Sequence, residues 1–142
     1  MKLVKDSEAL VQALELFRAS PSHSKYSVND IYIYLQLPIK QHCIRLYYEN
    51  SKPVGLITWC WLSEADAELF LQGKYHPKEQ DYTLDTPMSQ QLWGMEFIAP
   101  YGHARKMMRA IKHTTEELYG PQKVHWRRFH SRDKIRSKRF QA

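Results

Sequence analysis

LWGMEFIAPYGHA, residues 92–104, reads as a strand that turns into a helix, and the fold class follows from it. Leu92 to Ile98 is apolar and aromatic apart from Gly94 and Glu96, the composition of a central strand. Pro100-Tyr101-Gly102 breaks that run. Ala104, Met107, Met108, Ile111 and Leu118 then recur at helical spacing until Gly120-Pro121. Val124 to Phe129 predicts a further strand. Upstream, Cys43 to Tyr48 and Val54 to Trp61 flank the turn Glu49-Asn50-Ser51-Lys52-Pro53 and read as a hairpin. Ser63-Glu64-Ala65-Asp66 caps a helix that runs to about Leu71, and Gly73 to Pro87 reads as an acidic surface loop.

The first helix is expected from a cap at Asp6 or Ser7 to about Ala19, with Leu10, Ala13, Leu14 and Phe17 as its buried stripe. Ser20-Pro21 stops it, because the residue before proline avoids the helical region. Val28 to Leu37 alternates like a strand but opens on a capping box, Ser27-Val28-Asn29-Asp30, and a short helix ended by Pro38 is the reading we take. Helices before and after a hairpin, then strand, helix and strand, make an α/β (α+β) domain: a mixed, mostly antiparallel sheet flanked by helices.

The 142 residues suit one domain, residues 1–142. No apolar run approaches the roughly 20 residues that span a bilayer. The opening stretch MKLVKDSEALVQAL carries acids where a secretory signal needs an apolar core, and two cysteines make no disulfide scaffold. A cytoplasmic protein is expected. The net charge of +6 is concentrated at one end. Residues 123–142 hold Lys123, Arg127, Arg128, Arg132, Lys134, Arg136, Lys138 and Arg139 against Asp133, a net +7, which leaves residues 1–122 at −1. The basic tail, about residues 127–142, is either a solvated end or a contact for a polyanion.

His23 lies just past the first helix, in a loop with Ser20 and Ser22. Glu96 is an acid within an apolar strand, which needs a partner if buried or an edge facing water if not. His125 and His130 lack companions at zinc spacing, so no metal is expected. Cys43, Cys60, Met107, Met108, Trp59, Trp61 and Trp93 read as core, with the tryptophans also open to lining an internal tunnel.

Four ordered stretches point further: Ser20-Pro21-Ser22-His23, Leu37-Pro38-Ile39, Lys52 to Trp59 followed by Leu62-Ser63-Glu64, and Trp93 to Gly102. Together, across about residues 10–112, they resemble the RTX toxin-activating lysine acyltransferase family, of the Gcn5-related N-acyltransferase (GNAT-like) fold. The resemblance implies transfer of a fatty-acyl group from acyl carrier protein to internal lysines of an RTX protoxin. No bound cofactor is expected, since the donor is the carrier's phosphopantetheine thioester (acyl-ACP). By the same resemblance, His23 is the catalytic residue, as general base or transient acyl acceptor, Glu96 its supporting acid and Ser20 an auxiliary. The family's acid is usually Asp. A possible homodimer is also implied.

Acyl transfer to lysine needs a base, because the free amine is protonated at neutral pH, and imidazole suits that task. The turn Tyr101-Gly102-His103-Ala104 lies where the broader fold cradles pyrophosphate or phosphopantetheine, at a helix N-terminus with free N–H groups. Ala99 stands where CoA-dependent members carry Gln or Arg. Arg105, Lys106, Arg109 and Lys112 form a basic face that is either simply solvated or a dock for the acidic carrier protein. Phe129-His130 is followed by Ser131-Arg132 instead of the family's Gly-Gly, so the resemblance does not cover the tail. Two rivals stand beside this reading: a CoA-dependent N-acetyltransferase of the same fold, and a small nucleic-acid-binding module working through its tail, against which Trp93 to Gly102 argues.

Overall fold

The computed structural model describes the backbone of residues 5–129 and 135–141 and the side chains of 5–127. Its five strands are β1 (Ile44–Glu49), β2 (Lys52–Leu62), β3 (Gln91–Ile98), β4 (Lys123–Phe129) and β5 (Ile135–Gln141). They lie side by side in chain order. All neighbours are antiparallel except β3 and β4, which run parallel across the helix α5 (Ala104–Tyr119). The expected mixed, mostly antiparallel sheet with flanking helices is the observed one.

Local chemistry explains the hairpin. Asn50 and Ser51 have φ of 51° and 65°, the left-handed pair that a two-residue turn requires if it is to match strand twist. Glu49 and Lys52 pair across it.

Residues alternate between the two faces of the sheet, and helices cover both. Leu56 of β2 and Ile98 of β3, partners in register, pack with Ala9, Ala13, Leu16 and Phe17 of α1 (Asp6–Ala19). On the other face Gly55 admits α5: a Cβ there would stand 2.1 Å from Met107 Sδ and 2.8 Å from the Ile98 carbonyl oxygen. Gly94 similarly makes room for the Trp126 ring, 2.3 Å from where its Cβ would be.

The buried stripe of α1 is offset from the expected one. Ala9, Ala13, Leu16 and Phe17 are buried, whereas Leu14 is 39% exposed. The two alanines let the helix lie close to the sheet, and Leu14 is turned outward. No side chain caps α1; Asp6 and Glu8 instead place negative charge at the positive end of its dipole. In α5 the buried positions are Met107, Ile111 and Thr115, while Met108 and Leu118 are exposed. Thr115 enters the core because its hydroxyl donates to the Ile111 carbonyl at 2.8 Å.

Residues 28–40 form a single helical run that does not stop at Pro38. Helix α2 (Val28–Ile31) opens on the expected capping box, with Ser27 and Asp30 reciprocally bonded. A π-turn, Tyr32–Gln36, follows, its Leu37 N–H reaching back five residues to Tyr32. Helix α3 (Leu37–Lys40) completes the run. The widened turn accommodates proline's ring and missing N–H, which would break a regular helix.

Helix α4 (Glu64–Leu71) starts as expected on Ser63, which accepts from the Asp66 N–H. The segment 73–87 corrects the sequence reading. It is not all surface, since Asp81 and Tyr82 are buried. Tyr82 donates to the Ile33 carbonyl at 2.9 Å, and Asp81 accepts from the Lys78 N–H at 2.8 Å. The tail contains a strand that the sequence reading did not place. Residues 135–141 extend the sheet as β5, paired with β4 from Phe129↔Ile135 to Lys123↔Gln141. His130, Ser131, Arg132, Asp133 and Lys134 lie outside the described residues.

Candidate active site

Helix α1 ends at Ser20, whose extended backbone (φ −99°, ψ 117°) is the conformation that the following proline favours. The chain then coils tightly, with the N–H groups of His23 and Ser24 both bonded to the Ser20 carbonyl. This turn folds the His23 ring back against Phe17 and Tyr26, at centroid distances of 5.2 and 5.3 Å.

Glu96 reaches the same place from β3. Ile57 pairs with Phe97 and Trp59 with Gly94, so Thr58 alone faces both Met95 and Glu96. Such a bulge re-aims a side chain. It is pinned where the Glu96 N–H donates to the Thr58 hydroxyl at 3.1 Å.

There the two groups meet. His23 Nε2 is 2.7 Å from Glu96 Oε2, with only 14% and 6% of the side chains exposed. His23 Nδ1 is 2.6 Å from Ser20 Oγ and 3.3 Å from Ser22 Oγ. Tyr26 donates its hydroxyl to the second carboxylate oxygen, Glu96 Oε1, at 2.7 Å. A carboxylate only accepts, so Nε2 carries a proton toward Glu96, and in the neutral imidazole the lone pair is then on Nδ1, facing Ser20. The arrangement is hydroxyl, imidazole and carboxylate in line, able to take up a proton at Nδ1 and stabilise the imidazolium formed.

The Tyr26 hydroxyl is pushed far above the ordinary phenol range, first by burial and then by the adjacent Glu96 charge. It is therefore a permanent donor. Behind it, Tyr34 packs on Tyr26 at 6.3 Å and bonds His76 Nδ1 at 2.7 Å. Burial raises Tyr34 to about 12 against the opposing pull of Arg127. Arg127 donates to the Phe70 carbonyl at 2.9 Å and lies over the Phe70 ring, so this first residue of the basic tail is built into the fold.

Pairing between β3 and β4 runs from Leu92↔Val124 to Gly94↔Trp126. Among the described residues no further pair joins them, although β3 continues to Ile98 and β4 to Phe129. The described pairing of these two strands therefore ends before Glu96.

The profile of the RTX toxin acyltransferase family matches residues 2–141. The chain belongs to that family. It is also 28% identical over 114 residues to the lysine-acyltransferase RtxC of Vibrio cholerae, a match covering 77% of this chain and 69% of that protein.

Of the sequence-predicted residues, this acyltransferase brings His23, Glu96 and Ser20 into direct contact. The turn Tyr101-Gly102-His103-Ala104 is a separate feature, not part of that contact group. Gly102 has φ of 90°, Tyr101 is exposed, and His103 and Lys106 both approach the Glu49 carboxylate at the hairpin tip. Arg105, Lys106, Arg109 and Lys112 are all exposed on α5. Sequence reasoning missed Tyr26, Thr58 and Glu49. The first two act through long-range contacts set by the bulge and the turn, and carry no local pattern. Among the described residues no group of His, Cys, Asp and Glu could hold a metal, and no helix is long and apolar enough to cross a membrane.

Proposed function

We propose that this acyltransferase moves a fatty-acyl group from the thioester of acyl carrier protein to the ε-amine of an internal lysine in an RTX-type protoxin, with His23 as general base. The observation that supports it is the His23 imidazole held between Ser20 and Glu96. The lysine nitrogen attacks the thioester carbonyl carbon, forming the C–N bond as the C–S bond breaks. Its proton passes to His23 Nδ1, which Ser20 vacates or serves by relay, and then to the departing pantetheine sulfur. Glu96 stabilises the imidazolium in between.

The stretch of β3 past Gly94 suits a narrow pantetheine arm, since among the described residues Met95 to Ile98 have no strand partner on the β4 side. The turn at Gly102 and the basic residues Arg105, Arg109 and Lys112 suit an acidic carrier. Glu49, beside His103 and Lys106, sets a carboxylate at the start of α5. That favours a donor held through protein contacts over one held by a free pyrophosphate.

The test is peptide mapping of a protoxin fragment after incubation with this protein and either acyl carrier protein or CoA charged with myristoyl or palmitoyl. Fatty acylation of lysine from the carrier-bound donor is expected. Equal or better transfer from acyl-CoA would overturn the carrier reading in favour of a CoA-dependent enzyme.

A further inference from the structure

Glu96 is buried with both carboxylate oxygens engaged, and they are engaged differently. His23 Nε2 holds Oε2 at 2.7 Å, and the Tyr26 hydroxyl holds Oε1 at the same distance. A carboxylate with a single donor can rotate about its last bond, or turn its unused oxygen to a proton. With the second oxygen bonded from a fixed direction it can do neither cheaply.

The Tyr26 direction is fixed. Its ring packs edge-on against Phe17 at 5.4 Å and against Tyr34 at 6.3 Å. Its backbone N–H is tied to the His23 carbonyl at 3.1 Å. Ser27, the next residue, caps α2. The turn that presents the imidazole therefore also presents the phenol, and both meet one carboxylate from β3.

We propose that Tyr26 is a positioning residue: by bonding Glu96 Oε1 it keeps the carboxylate turned so that Oε2 stays on His23 Nε2 and Nδ1, facing Ser20, remains the nitrogen that accepts the substrate proton. This rests on the reading of His23 as the base. The other ionisable groups that act on the pair are Tyr34 of the π-turn and Tyr82 of the 73–87 segment, both sensing the Glu96 charge, and Arg127 of β4, which acts on Tyr26 and Tyr34.

Removing the hydroxyl destabilises the fully deprotonated pair most, because its carboxylate then has neither imidazolium nor phenol to neutralise it. Whichever of His23 and Glu96 takes the proton, the upper apparent pKa of the pair rises.

The experiment uses the full chain with Tyr26→Phe, which keeps the ring and removes only the O–H. The His23 imidazole titration is followed by NMR, its resonance assigned by loss in His23→Ala. A second protein carries 3,5-difluorotyrosine at position 26, a stronger donor of nearly the same shape. The phenylalanine variant is expected to raise the titration midpoint by on the order of one pH unit. The fluorinated protein is expected to lower it. In acyl transfer, kcat of Tyr26→Phe should fall about tenfold with donor KM little changed, and the acid limb of the rate should move to higher pH. A midpoint unmoved in both proteins overturns the proposal. Because the titration needs no substrate, a wild-type protein inactive with every acyl donor would instead count against the acyltransferase reading of His23, leaving the NMR result to decide Tyr26.

Discussion

Every polar atom of the His23 imidazole and the Glu96 carboxylate has a named protein partner, and that completeness makes single-atom changes informative. Glu96→Gln keeps the shape but offers Nε2 either an amide N–H or a weaker acceptor. Its kcat should fall by about a hundredfold or more, measured as single-turnover acylation with saturating donor. Glu96→Asp installs the residue type that the resemblance implies for this position but withdraws the carboxylate by one methylene from a bulge built for glutamate. A loss of about tenfold is expected, smaller than for glutamine. The pairing of His23 with Glu96 was legible because Ser20-Pro21-Ser22-His23 and Trp93 to Gly102 carry the family's spacing. Tyr26 was not, because a tyrosine three residues past a histidine has many ordinary uses. Only the fold shows that its hydroxyl ends on Glu96.

At the scale of elements, glycines leave the space in which α5 and the Trp126 ring pack on the sheet. Gly55→Ala puts a Cβ 2.8 Å from the Ile98 carbonyl oxygen, a backbone atom that cannot swing aside. The variant should lose about 1–3 kcal/mol, seen as a lower urea midpoint with an unchanged slope. Strands, the hairpin and several helix ends were readable from turn chemistry and capping: Asn50-Ser51, Ser63 and Gly120 each act as their residue types suggest, whereas the cap expected at Asp6 or Ser7 is absent. What was not readable was which side of a helix faces the core. Alanine and threonine are ambivalent, so Ala9 and Thr115 went unnoticed while Leu14 and Met108 drew the stripe outward. Pro38 was misplaced as a stop because a π-turn is a tertiary accommodation with no sequence signature. Tyr82 was lost among acidic neighbours, and β5 among basic ones.

For the molecule as a whole, the core holds groups whose charged forms burial disfavours. Burial raises Tyr34 to about 12 from 10.0, and Cys43 to about 12 from 9.0. Folded values above unfolded ones mean that native protein holds these protons more tightly. Their contribution to stability is complete below about pH 9, and it falls as pH rises through about 12. The urea midpoint should therefore be nearly level from pH 7 to 9 and decline steadily by pH 11. The proposed reaction turns on one residue of this molecule, the histidine between α1 and α2. The most direct test compares wild type with His23→Ala by intact mass of a protoxin fragment, sampled over time with acyl carrier protein charged with palmitoyl. His23 as general base requires a palmitoyl mass gain with wild type and a rate reduced by about 10²–10⁴-fold in the variant, with the fold unchanged by circular dichroism. Acylation at the wild-type rate without the imidazole would contradict it.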